Sequence, residues 1–196
     1  MKDAMINITA TYLKDLLSSI DLTVLKWFNH HPIPYSVPVL QFISFTTTYI
    51  SIAMVVGVLI VALFKKSKPL WRRFLILAAV LLISGIVSFA LKSLIYRERP
   101  FTAYSFIVKR SEGGESSFPS GHSMEAFAVA TAFSMVFRKK KISIPLFVWA
   151  ITVAYSRIAL GVHYPSDVLA GILIGILTGW IIPRLFNNPK SRFSLW

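Results

Sequence analysis

Four consecutive residues, Pro119, Ser120, Gly121 and His122, stand between a polar loop and an apolar run, and their types suit anion chemistry. An apolar run after a serine predicts that a helix begins here. The first turn of a helix offers free backbone N–H groups and a positive dipole end to an anion. Gly121 leaves those groups accessible because it has no side chain, and His122 adds a ring that exchanges protons near neutral pH. The tetrapeptide predicts an anion site, although a serine-capped helix with an incidental histidine would have the same sequence.

Five more residues that suit this chemistry lie in or beside neighbouring apolar runs: Lys92, Arg99, Arg157, His163 and Asp167. Charged side chains at membrane depth are costly unless they are partnered, so each is a functional candidate. Three cations together with helix N-terminal amides suit a phosphate, whose oxygens spread its charge in several directions. A buried charge network that only ties helices together is the alternative, but it explains neither the second histidine nor the glycine.

Composition indicates an integral membrane protein. The chain has 196 residues, of which 55% are hydrophobic and 15% charged, and its mean hydropathy is +0.65; soluble proteins have about 25% charged residues. We expect a single membrane-embedded domain over residues 1–196. The net charge of +13 does not indicate a nucleic-acid partner, because the basic residues fall between apolar runs and not on one soluble face. The absence of cysteine excludes thiol catalysis and thiolate metal sites.

The elements that must position these residues are five apolar runs, each near the ~20 residues that cross a bilayer. They lie at about 39–64, 71–95, 121–137, 142–162 and 166–186. The sequence therefore predicts an all-α integral membrane bundle of about five transmembrane helices. Residues 11–28 precede it with apolar residues at helical spacing, interrupted by charges such as Asp15 and Asp21. We predict that this stretch is an N-terminal amphipathic helix lying in the membrane interface. The alternative, about as compatible with the sequence, is a cap packed over the bundle.

Most basic residues lie in three connections of this bundle. The connections are 65–73, 138–141 and 184–192, and they hold twelve of the 21 lysines and arginines. If the runs cross the membrane in alternate directions, all three connections share one side, which the positive-inside rule assigns to the cytoplasm. His122 and His163 then face outward.

Taken in order, the motifs K-x6-R-P, P-S-G-H and S-R-x5-H-x3-D resemble the three-part signature of the type 2 phosphatidic acid phosphatase (PAP2) superfamily. The matching positions are Lys92, Arg99, Pro100, Pro119, Ser120, Gly121, His122, Ser156, Arg157, His163 and Asp167. The five-run layout is similar to that of compact bacterial membrane lipid phosphatases in this superfamily. The resemblance implies a PAP2-like fold and hydrolysis of a lipid phosphate at the membrane surface.

The resemblance also implies a role for each matching residue. His163 is expected to be the nucleophile that forms a phosphohistidine, with Asp167 accepting its other ring N–H. His122 is expected to protonate the leaving oxygen and then to activate water. The phosphoryl oxygens are expected to bind Lys92, Arg99, Ser120, Gly121 and Arg157. This set needs no metal and no cofactor, because positioning and charge stabilisation account for most of phosphoryl transfer.

Compact bacterial members with this layout often resemble undecaprenyl-diphosphate phosphatases, which is the first expectation for the substrate. Several of those enzymes have aspartate where Gly121 stands. Glycine is common in phosphatidylglycerophosphate phosphatases and lipid A phosphatases. These enzymes, together with phosphatidic acid phosphatases, are the alternative. Either implies a bacterial inner membrane protein with a periplasmic active site. Vanadate-dependent haloperoxidases share this type of site but are soluble, and a lipid-binding transporter or scaffold would not need His163 and Asp167.

Glu125 lies outside the signature. It follows His122 by three residues, which places it on the same helix face about one turn deeper. It can act at the site by orienting His122, relaying its proton or contacting a substrate headgroup. Equally, it can be a structural partner of Arg97, Arg99 or a buried hydroxyl.

Overall fold

The computed structural model describes residues 2–33 and 35–186, except for the side chains of 2–11, 13 and 14, and this part of the chain is entirely helical with no strand. Its seven helices are α1 Lys2–His30, α2 Ser36–Phe64, α3 Lys68–Leu94, α4 Pro100–Ala103, α5 Gly121–Phe137, α6 Lys140–Ala159 and α7 Pro165–Phe186. The all-α class is confirmed. The short helix α4, which begins at the proline of the K-x6-R-P motif, was not expected from the sequence.

Four of these helices, α2, α3, α6 and α7, are long and apolar enough to cross a bilayer, with mean hydropathies of 1.5–2.8 over their most apolar stretches. The central helix α5 has only 17 residues, a length of about 26 Å. It packs against all four of the others. Between Ser123 and Phe133 every residue of α5 except Glu125 is buried. The bundle therefore has four spans of full length around a shorter fifth helix that is screened from the surroundings by protein.

The contact between α5 and α7 depends on three glycines. Gly171, Gly175 and Gly179 recur every four residues along one face of α7. A Cβ atom on Gly171 would lie 2.5 Å from the carbonyl oxygen of Ser120, and one on either of the others would overlap a carbonyl oxygen of α5. Small residues at this spacing let two membrane helices approach closely. The approach brings the start of α5 against the start of α7, where the Ser120 N–H donates to the Asp167 carbonyl at 3.0 Å.

Helix α6 ends at Ala159, three residues before the predicted end at 162. The reason is Gly161, whose φ of +74° lies in the left-handed region that terminates helices. A side chain at this position would also meet the carbonyl oxygen of Val108 at 2.5 Å. The chain therefore leaves the helix early and crosses this end of the bundle through residues 160–164, which carry His163.

Helix α1 is longer than the predicted 11–28, and its second half is a packed cap. Leu25 and Asn29 are fully buried. The Asn29 side chain accepts from the Val108 N–H at 2.9 Å and donates to the Val108 carbonyl at 3.0 Å. Leu17, in contrast, is 61% exposed. The cap interpretation is confirmed for residues 21–29, whereas the earlier turns keep the exposed apolar residues that an interfacial helix requires.

The end of the bundle opposite the candidate site carries the basic connections. Arg72 at the start of α3 donates to the Phe186 carbonyl at the end of α7, at 2.5 Å. The guanidinium of Arg73 lies 5.0 Å from the centre of the Phe137 ring at the end of α5. The starts of α3 and the ends of α5 and α7 thus share one end, as the alternating arrangement predicts. Lys190 and Arg192, which entered that prediction, lie outside the described residues.

Candidate active site

The loop between α3 and α5 folds over two of the predicted phosphate-binding cations. Lys92 Nζ donates to the Ser116 carbonyl at 3.0 Å. Arg99 Nη2 donates to the same carbonyl at 3.1 Å, its Nη1 donates to the Val162 carbonyl at 2.8 Å, and its Nε donates to the Gly114 carbonyl. These partners are dipoles without net charge, so they orient the two side chains and leave their positive charges unneutralised.

Arg157, the third cation, is only 2% exposed. Its guanidinium donates to the Ser44 hydroxyl and, at 3.4 Å, to the Glu112 carbonyl, while its buried Nε has no partner. Within the described residues, no carboxylate forms an ion pair with Lys92, Arg99 or Arg157. A buried cation without a counter-ion is costly. Arg99 and Arg157 are two such buried cations, and the half-buried Lys92 lies in the same cavity. Together they indicate a site that binds an anion.

His163 lies against Arg99 and is 2% exposed. Its Nε2 is 3.4 Å from Arg99 Nη1. Because a guanidinium can only donate, Nε2 is the nitrogen with the free lone pair, and the proton of the neutral ring is on Nδ1. Burial lowers the pKa of His163 to about 3; Asp167 opposes this shift, and Arg157 and Arg99 add to it. The ring is therefore neutral at physiological pH, as a nucleophile must be.

Asp167 faces His163, but the predicted hydrogen bond between them is not formed. Asp167 Oδ2 lies 3.7 Å from His163 Nδ1, beyond hydrogen-bond range, and this buried Nδ1 has no other partner. Oδ2 instead accepts the Tyr164 N–H at 3.0 Å, the reciprocal bond of a capping box at the start of α7. Oδ1 accepts from Arg97 at 2.6 Å. The carboxylate is in position to orient the ring once the two atoms approach by a few tenths of an ångström.

The P-S-G-H segment places two of its residues in the site and one behind it. Gly121 and His122 line the same cavity as the three cations, and a Cβ on Gly121 would lie 3.0 Å from Ser88 Oγ. Ser120 is fully buried, and its hydroxyl pairs with that of Ser123 at 2.9 Å. Its side chain does not line the cavity. In this arrangement Ser120 fixes the start of α5. Gly121 and His122 are in its first turn, where backbone N–H groups have no partner within the helix.

The cavity has a volume of about 880 Å³. Among the predicted site residues it is lined by Lys92, Arg99, Gly121, His122, Glu125, Arg157 and His163. It adjoins a second, apolar groove of about 600 Å³ between α2 and α3, and Leu81, Gly85 and Phe89 line both spaces. A polar chamber with cations and histidines therefore continues into an apolar channel on the bilayer-facing side of the bundle.

Glu125 contacts a hydroxyl. Its Oε2 accepts from the Thr48 hydroxyl at 2.9 Å, and its Oε1 is buried without a partner. Among the described contacts there is no hydrogen bond to His122, Arg97 or Arg99. Of the structural partners expected from the sequence, a hydroxyl is observed, but it belongs to Thr48, which is exposed and not buried. The free Oε1 and the position on the cavity wall leave the headgroup interpretation open.

Three residues outside the signature take part in the site and were missed by sequence reasoning. Arg97 bridges Asp21 and Asp167, at 2.8 and 2.6 Å. Asn29 ties α1 to the loop that follows α4. Arg97 and Asp21 are 76 residues apart, and nothing in the local sequence pairs them. The one available signal was a basic residue two positions before Arg99.

Comparisons with known proteins bear on the same residues. The family model described as "PAP2 superfamily" matches residues 73–191, more than half of the chain and all of the cavity's cations and histidines. The chain belongs to the PAP2 superfamily. Undecaprenyl-diphosphatase BcrC of Bacillus subtilis is 33% identical to this chain over 152 residues, which cover 77% of this chain and 77% of BcrC.

Two further proteins extend the comparison. A lipid A 4'-phosphatase of Bacteroides thetaiotaomicron is 36% identical over 97 residues, 50% of this chain but only 43% of that protein. The crystal structure of a transmembrane PAP2-type phosphatidylglycerolphosphate phosphatase from Bacillus subtilis superposes with a TM-score of 0.73 at 25% identity, covering 91% of this chain and 89% of that one. The chain is therefore a multi-pass membrane phosphatase of the PAP2 superfamily.

Proposed function

We propose that this PAP2 protein is an integral-membrane lipid phosphatase that works through a phosphohistidine on His163. The observation that carries the proposal is the cavity, in which three cations without counter-ions surround a neutral histidine. The adjoining apolar groove can hold the lipid tail while the phosphate binds the cations. This arrangement accepts an amphiphile with one anionic end and needs no metal or cofactor.

In the first half-reaction, His163 Nε2 attacks phosphorus with its lone pair. The bond from phosphorus to the leaving oxygen breaks, and the leaving oxygen takes the bonding pair and a proton from His122. In the second half-reaction, a water oxygen attacks the phosphohistidine and His122 takes the water proton. The N–P pair returns to Nε2, so inorganic phosphate leaves and both histidines recover their starting states. Lys92, Arg99, Arg157 and the first-turn N–H groups stabilise the charge on the phosphoryl oxygens throughout.

Undecaprenyl diphosphate is the substrate we propose first. The reason is that BcrC, an undecaprenyl-diphosphatase, matches over 77% of both chains, whereas the lipid A 4'-phosphatase matches over less than half of its own length. Phosphatidylglycerophosphate, phosphatidic acid and lipid A are the alternative substrates. The similarity to the phosphatidylglycerolphosphate phosphatase structure favours the first of these three.

We also propose that the protein lies in the bacterial inner membrane with this cavity on the periplasmic side. The support is the charge asymmetry of the bundle, whose basic connections lie opposite the cavity. Cysteine-accessibility labelling tests the orientation, because the natural chain has no cysteine. A cysteine at Glu115 should react with an impermeant reagent in spheroplasts, and one at Lys66 should not.

Phosphate release by the purified protein tests the function. The substrates are undecaprenyl diphosphate, phosphatidylglycerophosphate, phosphatidic acid and lipid A, each assayed with EDTA present. We expect release that EDTA does not inhibit, that vanadate blocks as a phosphoryl transition-state mimic, and that is fastest with undecaprenyl diphosphate. His163→Ala should be inactive and His31→Ala, an exposed histidine at the end of α1, should be fully active. Full activity of His163→Ala, or activity that requires a metal, would contradict the proposal.

A further inference from the structure

Arg97 connects the N-terminal helix to the carboxylate that faces His163. Its Nη1 donates to Asp167 Oδ1 at 2.6 Å and its Nη2 to Asp21 Oδ2 at 2.8 Å. The guanidinium carbon also lies 3.9 Å from the centre of the Tyr164 ring. Two carboxylates and an aromatic ring therefore fix the position of Arg97. The planar guanidinium suits this arrangement because its N–H donors point in fixed directions.

Asp21 is held as firmly as Arg97. It is 6% exposed, and its Oδ1 accepts the Ser166 N–H at 2.8 Å. Its Oδ2 accepts from both the Ser166 hydroxyl and Arg97. Ser166 is the second residue of α7, where backbone N–H groups have no partner within the helix. Asp21 therefore caps α7 from another helix and fixes Arg97 at the same time.

Asp167 is fully buried, and its two oxygens have separate donors. Oδ2 accepts the Tyr164 N–H and faces His163, whereas Oδ1 accepts from Arg97. Among the described residues Oδ1 has no other hydrogen-bond donor. Without Arg97, a buried oxygen would lose a charge-assisted bond, and the carboxylate would rotate to recover a partner. That rotation would move Oδ2 away from His163 Nδ1.

We propose that Arg97 is a positioning residue for Asp167 and that Asp21, on the N-terminal helix, anchors Arg97 in place. Neither residue belongs to the PAP2 signature. Helix α1 then contributes to the active site. Its packing sets the orientation of the His163 ring through Asp21, Arg97 and Asp167. This inference rests on the proposed function, because it assigns Asp167 the task of orienting the nucleophile.

The test compares Arg97→Gln and Asp21→Asn with Arg110→Gln in the purified full-length protein. Arg110 is a matched control because its guanidinium also ties α1 to the outer loops, through the Asn29 carbonyl at 2.7 Å, but does not contact Asp167. We expect Arg97→Gln to lower kcat roughly 10- to 100-fold, the cost of a misplacement of about 1 Å, with KM unchanged. Asp21→Asn should give a smaller loss in kcat, and Arg110→Gln should leave kcat unchanged.

Two further variants separate positioning from folding. Arg97→Lys should recover part of kcat, since an ammonium keeps the charge but lacks the two-pronged geometry. Adding Asp21→Asn to Arg97→Gln should cost little more, because both act through one chain of contacts. Equal kcat losses in Arg97→Gln and Arg110→Gln, additive losses in the double variant, or a change confined to KM would overturn the inference. Absence of phosphatase activity in the unaltered protein would instead refute the proposed function.

Discussion

Two charged clusters lie at the same end of the bundle and differ in what neutralises their cations. The open cluster is Lys92, Arg99 and Arg157, whose partners are carbonyls, hydroxyls and His163. The closed cluster is Arg97 with Asp21 and Asp167, where one guanidinium bridges two carboxylates. Arg97 and Arg99 are separated by one residue, so their different environments come from the surrounding fold and not from the local sequence.

The difference explains why the two clusters suit different tasks. Each buried ion without a counter-ion costs several kcal/mol even after the protein relaxes, so the open cluster is most stable when it holds an anion. The closed cluster already contains its anions and gains nothing from another. We therefore assign binding and reaction to the open cluster, and orientation of the proposed nucleophile to the closed one.

The largest effect should come from removing a cation of the open cluster. Arg157→Gln should lower kcat/KM by roughly 10²- to 10³-fold, the usual cost of deleting one oxyanion donor, and weaken inhibition by vanadate. Lys141→Gln, an exposed cation at the opposite end, should change neither. Steady-state kinetics of both variants decide the matter. Wild-type kinetics in Arg157→Gln would remove that residue from the anion site.

The next largest effect should come from disrupting the contact between α5 and α7, which brings the two clusters together at one end of the bundle. Gly175→Ala places a methyl group against the Met124 carbonyl of α5, and overpacking of this kind costs about 1–3 kcal/mol. Gly57→Ala in α2 is the matched control, since a Cβ there meets nothing within 4 Å. Thermal unfolding in detergent should give a lower Tm for the first variant only. Equal Tm values would mean that α5 and α7 can separate without cost.

Acid should destabilise the protein through His163. Its native pKa of about 3 lies below the unfolded value of about 6.5. Between these two pKa values, His163 is protonated in the unfolded chain but not in the native protein. This contribution to stability is complete above about pH 6.5 and is lost as the pH falls toward 3, by at most about 1.4 kcal/mol per pH unit.

The measurement is Tm between about pH 7 and pH 4 for the unaltered protein, His163→Gln and His31→Gln. His163→Gln should flatten the pH dependence, and His31→Gln should not. A His163→Gln protein whose Tm falls as steeply as that of the unaltered protein would show that the histidine is protonated in the native state.

Glu125→Gln should have the smallest effect of the four changes. The amide oxygen can still accept from Thr48 Oγ1, so the fold and the Tm should be unchanged. We expect turnover to fall about two- to tenfold, the value of one net hydrogen bond from Oε1 to the substrate. Unaltered kinetics would remove Glu125 from the site and leave it as the partner of Thr48.

Sequence reasoning located the open cluster because its chemistry is visible in residue types. Charged residues in apolar runs are rare, and their order relative to the glycine and histidines is specific. The all-α class and the approximate positions of the membrane helices followed from apolar run lengths. The end of α6 was predicted too late. The apolar residues continue past Ala159, but the backbone turn at Gly161 ends the helix there.

The closed cluster was not predictable in the same way. Asp21 is one of several charges on α1, and its burial depends on how that helix docks. Gly171, Gly175 and Gly179 have the four-residue spacing of closely packed membrane helices, but the sequence does not show which helix they contact. The proposed role of Arg97 in holding Asp167 against His163 is likewise not visible in the motif, because the motif does not include Arg97.

The most direct test of the account is detection of the covalent intermediate. The protein is mixed with a substrate labelled in its terminal phosphate, stopped in alkali within the first turnover, and the labelled peptide is identified by mass spectrometry. The account predicts a phosphohistidine at His163 that is absent from His163→Ala. Two results would contradict the account. One is an active enzyme whose label is on a residue other than His163, and the other is an active enzyme that carries no covalent label.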